Sequence, residues 1–269
     1  FIYTGGEKLN GVLGFYYFDG FAGGNVPFAF VGGAVNGITD GDTTTESLAV
    51  FGDGSYAIND KATFNFGLRL TEEDKTGRAF NTLNIAPGGV AADFADSTTF
   101  SSVSPKLGLD YQFNEDVMGY VSLSRGFKSG GYNVRANVVL NPESALPFDD
   151  EALTVAEVGV KSLLANDSLI LNAALFTGDY TDVQVSTFTS LDADGDGVDD
   201  TFFGNFLNAG DATLNGLEVE WDWKSPTATW LGLSGNLSFL DSSEEFLDLN
   251  SNGLAETQVI TNAPEITGA

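Results

Sequence analysis

Apolar side chains recur at every second position through most of this chain. In residues 63–70 (TFNFGLRL), Phe64, Phe66, Leu68 and Leu70 alternate with Asn65, Gly67 and Arg69. Residues 104–133 hold two such tracts. Leu107, Leu109, Tyr111 and Phe113 are separated by Gly108, Asp110 and Gln112, and Val121, Leu123 and Phe127 alternate with Ser122, Ser124 and Gly126. Asn114, Glu115 and Asp116 supply a tight turn between them. The rhythm continues with Ala156, Val158 and Val160 against Glu157, Gly159 and Lys161, then with Leu217, Val219, Trp221 and Trp223 against Glu218, Glu220 and Asp222. Leu231, Leu233, Leu237 and Phe239 repeat it against Gly232, Ser234, Asn236 and Ser238. Successive strand side chains point to opposite faces, so period two predicts strands with one greasy and one small or polar face. About ten such strands follow from the pattern.

The connections alternate between short and long. Short turns built from Asn, Asp, Ser and Pro are expected at residues 59–61, 114–116, 165–168 and 225–228. Long segments fall around residues 20–44, 76–99, 133–150, 190–208 and 241–261. A wall between lipid and a wet lumen has this form, with short turns at one rim and long loops at the other. A soluble antiparallel sandwich also alternates apolar and polar positions. It has no reason to keep every second connection long.

Residues 104–133 (SPKLGLDYQFNEDVMGYVSLSRGFKSGGYN) closely resemble a barrel segment of TonB-dependent outer-membrane receptors. Residues 153–185 are similar to the hairpin that follows in that family, and residues 208–221 (NAGDATLNGLEVEW) and 262–268 (NAPEITG) resemble two of its strand motifs. The resemblance implies an all-β fold: a segment of an antiparallel transmembrane β-barrel, with short periplasmic turns and long extracellular loops. Residues 1–269 would form part of that barrel domain. A plug domain, a TonB box, a signal peptide and the C-terminal strands are not recognised in the chain, which reads as an internal piece. By the same resemblance the parent protein sits in the outer membrane of a Gram-negative bacterium and imports a scarce nutrient of the ferric siderophore, cobalamin or oligosaccharide class; the alternatives are a passive porin-like channel or a soluble calcium-binding β domain of a surface protein. Its implied partners are outer-membrane lipid, a small-molecule or chelate ligand, and the TonB complex acting through the plug.

A basic side chain on the lipid face at the bilayer midplane costs about 2–4 kcal/mol. Arg69 and Lys161 fall on the polar face, as this demands. Arg125 shares a face with Val121 and Leu123, so its head either snorkels to the interface or marks a bulge that flips the alternation. Trp221, Trp223 and Trp230 cluster around the turn at residues 225–228, where an aromatic belt or ordinary strand packing accounts for them.

Composition removes other readings. The chain has neither Cys nor His, so thiolate sites, Ser–His–Asp triads and most zinc or iron sites lose their parts, and no enzymatic activity is expected. No run of about 18 apolar residues exists, which excludes a membrane-crossing helix and leaves strands untouched. The net charge of −27 repels nucleic acid.

Much of that charge lies in the long segments, and two of them carry a calcium-like spacing. Asp192, Asp194, Asp196 and Asp200 follow D-x-D-x-D-G-x-x-D, and Asp248, Asn250, Asn252 and Glu256 follow D-x-N-x-N-G-x-x-E. Hard oxygen ligands at positions 1, 3, 5 and 9, with Gly197 or Gly253 at the sharp turn, suit Ca2+. Position 12, the bidentate Glu of an EF-hand, is Phe203 in one and Val259 in the other. Solvated Asp/Asn/Gly turns are the alternative reading. No cofactor is required, and Ca2+ is the one ion the loops suggest.

Overall fold

The computed structural model describes residues 1–4, 6, 8–191, 201–246 and 264–268. Its strands in chain order are β1 (Ile2–Tyr3), β2 (Leu9–Phe30), β3 (Val35–Ala57), β4 (Ala62–Leu83), β5 (Val90–Gln112), β6 (Val117–Lys128) and β7 (Glu151–Leu164). There follow β8 (Leu169–Thr181), β9 (Gln184–Leu191), β10 (Thr201–Asn208), β11 (Gly210–Lys224), β12 (Gly232–Phe246) and β13 (Ile266–Gly268). Among the described residues, 11 strands form one antiparallel sheet in the order β1 to β8, then β11, β12 and β13. The sheet is open, with β1 and β13 at its two ends, and β9 and β10 pair apart as a separate two-stranded antiparallel sheet.

The period-two reading holds in register. Phe64 pairs with Leu109 and Phe66 with Leu107, while Asn65 pairs with Gly108. Val158 faces Leu175, which in turn faces Leu217. Apart from the half-buried Leu217, these apolar side chains stay exposed on one face, Leu107 at 47% and Leu175 at 55%. A soluble sandwich buries that face; here it is left open as a continuous apolar surface, which only lipid or another apolar partner tolerates at this size. The small buried core lies elsewhere. Among the described residues it forms two buried clusters, Val183 with Ala209 and Ala212, and Leu83 with Ala86 and Ala91.

The short turns close through their own side chains. Asn59 Oδ1 accepts from the backbone N–H groups of Lys61 and Ala62, and Asn114 Oδ1 accepts from that of Asp116. These are Asx turns, which need no apolar support.

Two segments expected as long loops are strand instead. β2 continues to Phe30 and β3 resumes at Val35; β4 continues to Leu83 and β5 resumes at Val90. The apolar signal fades in residues 20–44 and 76–99, yet backbone pairing there needs only an unbroken register, and Gly and Thr do not break it. Each of these strands exceeds the roughly 9–11 residues that cross a bilayer, so about half of each projects beyond it. Gly32 and Gly33 (φ 64° and 94°) and Gly88 and Gly89 (φ 68° and 77°) form the hairpin tips, a left-handed backbone that side chains disfavour. Of the segment expected as a loop at residues 190–208, the described residues belong to the end of β9 and to β10.

Arg125 is settled by the pairing of β6 with β7. That register runs without a shift from Val117↔Ser162 to Lys128↔Glu151, so no bulge flips the alternation on that side. Arg125 is exposed on the face of Val121 and Leu123, beyond the point where β5–β6 pairing ends at Lys106↔Ser124.

Candidate ligand site

The motif GFKSGGYN, residues 126–133, leads out of β6 into a loop that folds back over the polar face of the sheet. The upper half of β3–β5 is shaped to receive it. A Cβ at Gly77 would collide with the Tyr132 ring, and one at Gly41 would press on Val134 at 2.7 Å. Polar contacts then hold the loop. Lys75 Nζ donates to the Gly130 carbonyl (2.8 Å), and Asn81 Nδ2 donates to the carbonyls of Val134 (3.0 Å) and Ala136 (2.8 Å). The Tyr132 and Thr98 hydroxyls share a hydrogen bond of 2.7 Å. Burial pushes the Tyr132 hydroxyl above its ordinary pKa.

On its other side the loop meets the segment between β8 and β11. Asn133 Nδ2 donates to the Gly204 carbonyl (3.2 Å), and the rings of Phe148 and Phe206 lie 4.6 Å apart. The Asp149 N–H donates to Asn208 Oδ1 (2.8 Å), whose Nδ2 donates back to the Asp149 carbonyl (3.0 Å).

Between the loop and the strands lies a cavity of about 580 Å3. Arg69, Lys75 and Lys128 line it, with Glu73 as the one carboxylate among its lining residues. Phe127, Phe148 and Phe206 complete an aromatic side. Phe127, expected to face outward with Val121 and Leu123, borders this cavity, beyond the end of β5–β6 pairing.

Three of the chain's 11 basic residues line the cavity with one lining acid, Glu73, and a second carboxylate, Glu151, behind Lys128, inside a chain of net charge −27. Lys75 pairs with Glu73 at 3.6 Å and Lys128 with Glu151 at 3.0 Å. Arg69 Nε donates to Thr71 Oγ1 (3.0 Å), and its guanidinium lies 5.0 Å from the centre of the Tyr16 ring. Burial lowers the Lys75 pKa; the Glu73 carboxylate opposes this, and the nearby Lys128 charge adds to the lowering. The site therefore presents positive charge, partly withdrawn from water, beside flat apolar surface. That combination attracts an anion with a ring-bearing body.

A larger open depression of about 980 Å3 runs along β6, β7, β8, β11 and β12. Glu157, Asp241 and Glu265 border it and no basic residue does, so it offers an anion nothing.

The residues proposed for calcium, Asp192, Asp194, Asp196, Asp200, Asp248, Asn250, Asn252 and Glu256, all lie outside the described residues. Sequence reasoning passed over Lys75, Lys128, Phe148 and Phe206. Two signals point toward them: Lys128 stands inside the GFKSGGYN motif, and cations are scarce enough in this chain for each inward one to count.

The family model described as TonB dependent receptor-like, beta-barrel, matches residues 2–269. The pesticin receptor of Yersinia enterocolitica is 25% identical over 208 residues, covering 76% of this chain and 28% of that protein. Among solved structures, the ferric yersiniabactin uptake receptor FyuA from Yersinia pestis superposes with a TM-score of 0.75 at 21% identity, over 98% of this chain and 36% of that one. The siderophore receptor PiuA from Acinetobacter baumannii gives 0.65 at 17% identity, over 99% and 41%. The chain thus spans less than half the length of each of these relatives.

Proposed function

Because this chain belongs to the TonB-dependent receptor β-barrel family of the Gram-negative outer membrane, we propose that it builds the wall and extracellular loops of a receptor that captures an anionic metal chelate. The class we favour is an iron–siderophore complex. The observation that carries this is the convergence of Arg69, Lys75 and Lys128 with Phe127, Phe148 and Phe206 on one cavity at the extracellular end. Carboxylate or catecholate oxygens of a chelate accept charge-assisted hydrogen bonds from the lysines, while its rings lie against the phenylalanines. With no His or Cys in the chain, the cavity grips the shell of a chelate and leaves the metal to the chelator. A cobalamin or oligosaccharide has no comparable use for three cations. That relatives are a ferric yersiniabactin uptake receptor and a siderophore receptor supports the same class. Energy coupling through a plug and TonB belongs, on this reading, to the rest of the receptor.

The test is ligand titration of the purified intact receptor, with a ferric tris-catecholate as anionic probe and cobalamin as the competing class. Lys75→Gln combined with Lys128→Gln should weaken the anionic probe about a hundredfold, two charge-assisted contacts at about 1.5 kcal/mol each. Unchanged affinity in the double variant, or a wild-type receptor that prefers cobalamin, would overturn the reading.

A further inference from the structure

Glu151 is the first residue of β7 and only 4% exposed. Its carboxylate accepts three hydrogen bonds from three different elements: Lys128 Nζ at the end of β6 (3.0 Å), the Tyr180 hydroxyl near the end of β8 (2.7 Å) and the Gln184 backbone N–H at the start of β9 (2.6 Å). A carboxylate this buried is strongly disfavoured unless such partners surround it, and these three satisfy it. Gln184 returns the connection. Its Nε2 donates to the carbonyls of Lys128 (3.3 Å), Ser129 (3.1 Å) and Asp149 (3.0 Å). The roots of the 129–150 loop and of the 182–209 segment are therefore tied at one point. The same two segments meet again farther out, through Asn133 with Gly204 and Phe148 with Phe206.

Both segments contribute to the cavity, the first through Phe148 and the second through Gln184 and Phe206, with Lys128 at their shared root. Lys128 is a long, flexible side chain, 59% exposed, and the Glu151 carboxylate fixes its head at the cavity edge. We propose that Glu151 is a positioning residue that joins the two extracellular segments into one unit, so that they order or loosen together and the cavity exists only when both are docked. Its binding consequence rests on the reading of the cavity as the ligand site; its structural consequence does not.

Amide hydrogen exchange on the intact receptor in detergent tests it, comparing wild type with Glu151→Ala and Glu151→Gln. In Glu151→Ala, amides of both residues 129–150 and residues 204–209 should exchange at least tenfold faster, on the order expected when a docking contact is lost, with β4–β5 amides unchanged. Glu151→Gln keeps an oxygen for the Gln184 N–H, so protection should return to within about threefold of wild type. Affinity for the ferric tris-catecholate should follow the same order, down about tenfold in the Ala variant and mostly recovered in the Gln variant. Loss of protection in one segment alone, in neither, or equally in both variants overturns the proposal. Should the Ala variant fail to insert, Tyr180→Phe decides, since removing one donor must loosen both segments and a change in one alone refutes the joint. If the wild type binds no chelate, the ligand reading falls while exchange still judges Glu151.

Discussion

Residues 62–70 and 71–83 belong to one strand, β4, and pair with β5 in one register until a shift between Asn81 and Thr82. In the lower part the outward side chains are Phe64, Phe66, Leu68 and Leu70, and the inward ones are Asn65, Gly67 and Arg69. In the upper part the outward positions carry Glu72, Asp74, Thr76 and Arg78, and the inward ones turn small and buried at Gly77 and Ala79. The outward face turns from apolar to polar without any change of backbone, while Thr71, Glu73 and Lys75 keep the inward face polar up to Gly77. The neighbours invert at the same height: Phe15, Val50, Leu70 and Val103 form one cross-strand row, and Asp19, Glu46, Asp74 and Thr99 the row four residues on. What changes between Leu70 and Glu72 is the medium outside, from lipid to water. Inside, a wet lumen gives way to a docked loop. The two halves of β4 are thus a lipid-facing wall and a cradle for the loop that borders the candidate site.

The largest effect that can break this comparison is a charge moved across the boundary. Leu68→Lys in the intact receptor should cost about 2–4 kcal/mol in equilibrium unfolding from lipid vesicles, whereas Glu72→Lys should stay within about 0.5 kcal/mol. Equal costs would place the boundary elsewhere.

A methyl group added inside separates the cradle from the wall. Gly77→Ala drives a Cβ into the Tyr132 ring, whereas at Gly108 the nearest neighbour is 3.5 Å away, an ordinary contact. The first should loosen the 129–150 loop by about 2 kcal/mol, seen as faster exchange there, and the second should leave it unchanged. A Gly77→Ala receptor with an intact loop would mean that the cradle is not what holds it.

The smallest effect sharpens the contrast between Arg69 below and Lys75 above. Arginine stays charged at any workable pH, but burial lowers the Lys75 pKa from 10.5. The charged form lies below the pKa, so affinity for an anion is full at lower pH and falls as pH rises through the depressed value, before a free lysine would titrate. A fall of about tenfold is expected, since Lys75 remains partly solvated and shares the charge with Lys128. Lys75→Arg should flatten that limb. A limb that persists in the Arg variant belongs to some other group.

The lower half of β4 was readable because lipid forces a strict alternation, and Phe64 to Leu70 spell it. The Asx turns at Asn59 and Asn114 were readable for a local reason, since each closes on its own backbone. The upper halves of the hairpins were not: outside the bilayer nothing requires outward Leu or Phe, and Gly-rich and Thr-rich strands look like loops. The candidate site was harder still. Lys75 and Lys128 stand 53 positions apart, and they share a cavity only because a loop between β6 and β7 folds back onto Gly41 and Gly77. Period two reports which face a residue takes; it carries no information about what later covers that face.

The two projecting hairpins have a consequence for how such a mouth changes over generations. Because side chains repeat every two residues, removing or adding a matched pair on each arm keeps every remaining side chain on its own face. Between the lipid boundary at Leu70 and the tips at Gly32–Gly33 and Gly88–Gly89, height can be altered in such steps while the paired strands in the bilayer keep their partners. A single-residue insertion does the opposite, exchanging the cradle for the exposed carboxylates all the way to the tip. The rim can lengthen or shorten in even steps, and odd ones are penalised by the pleat itself.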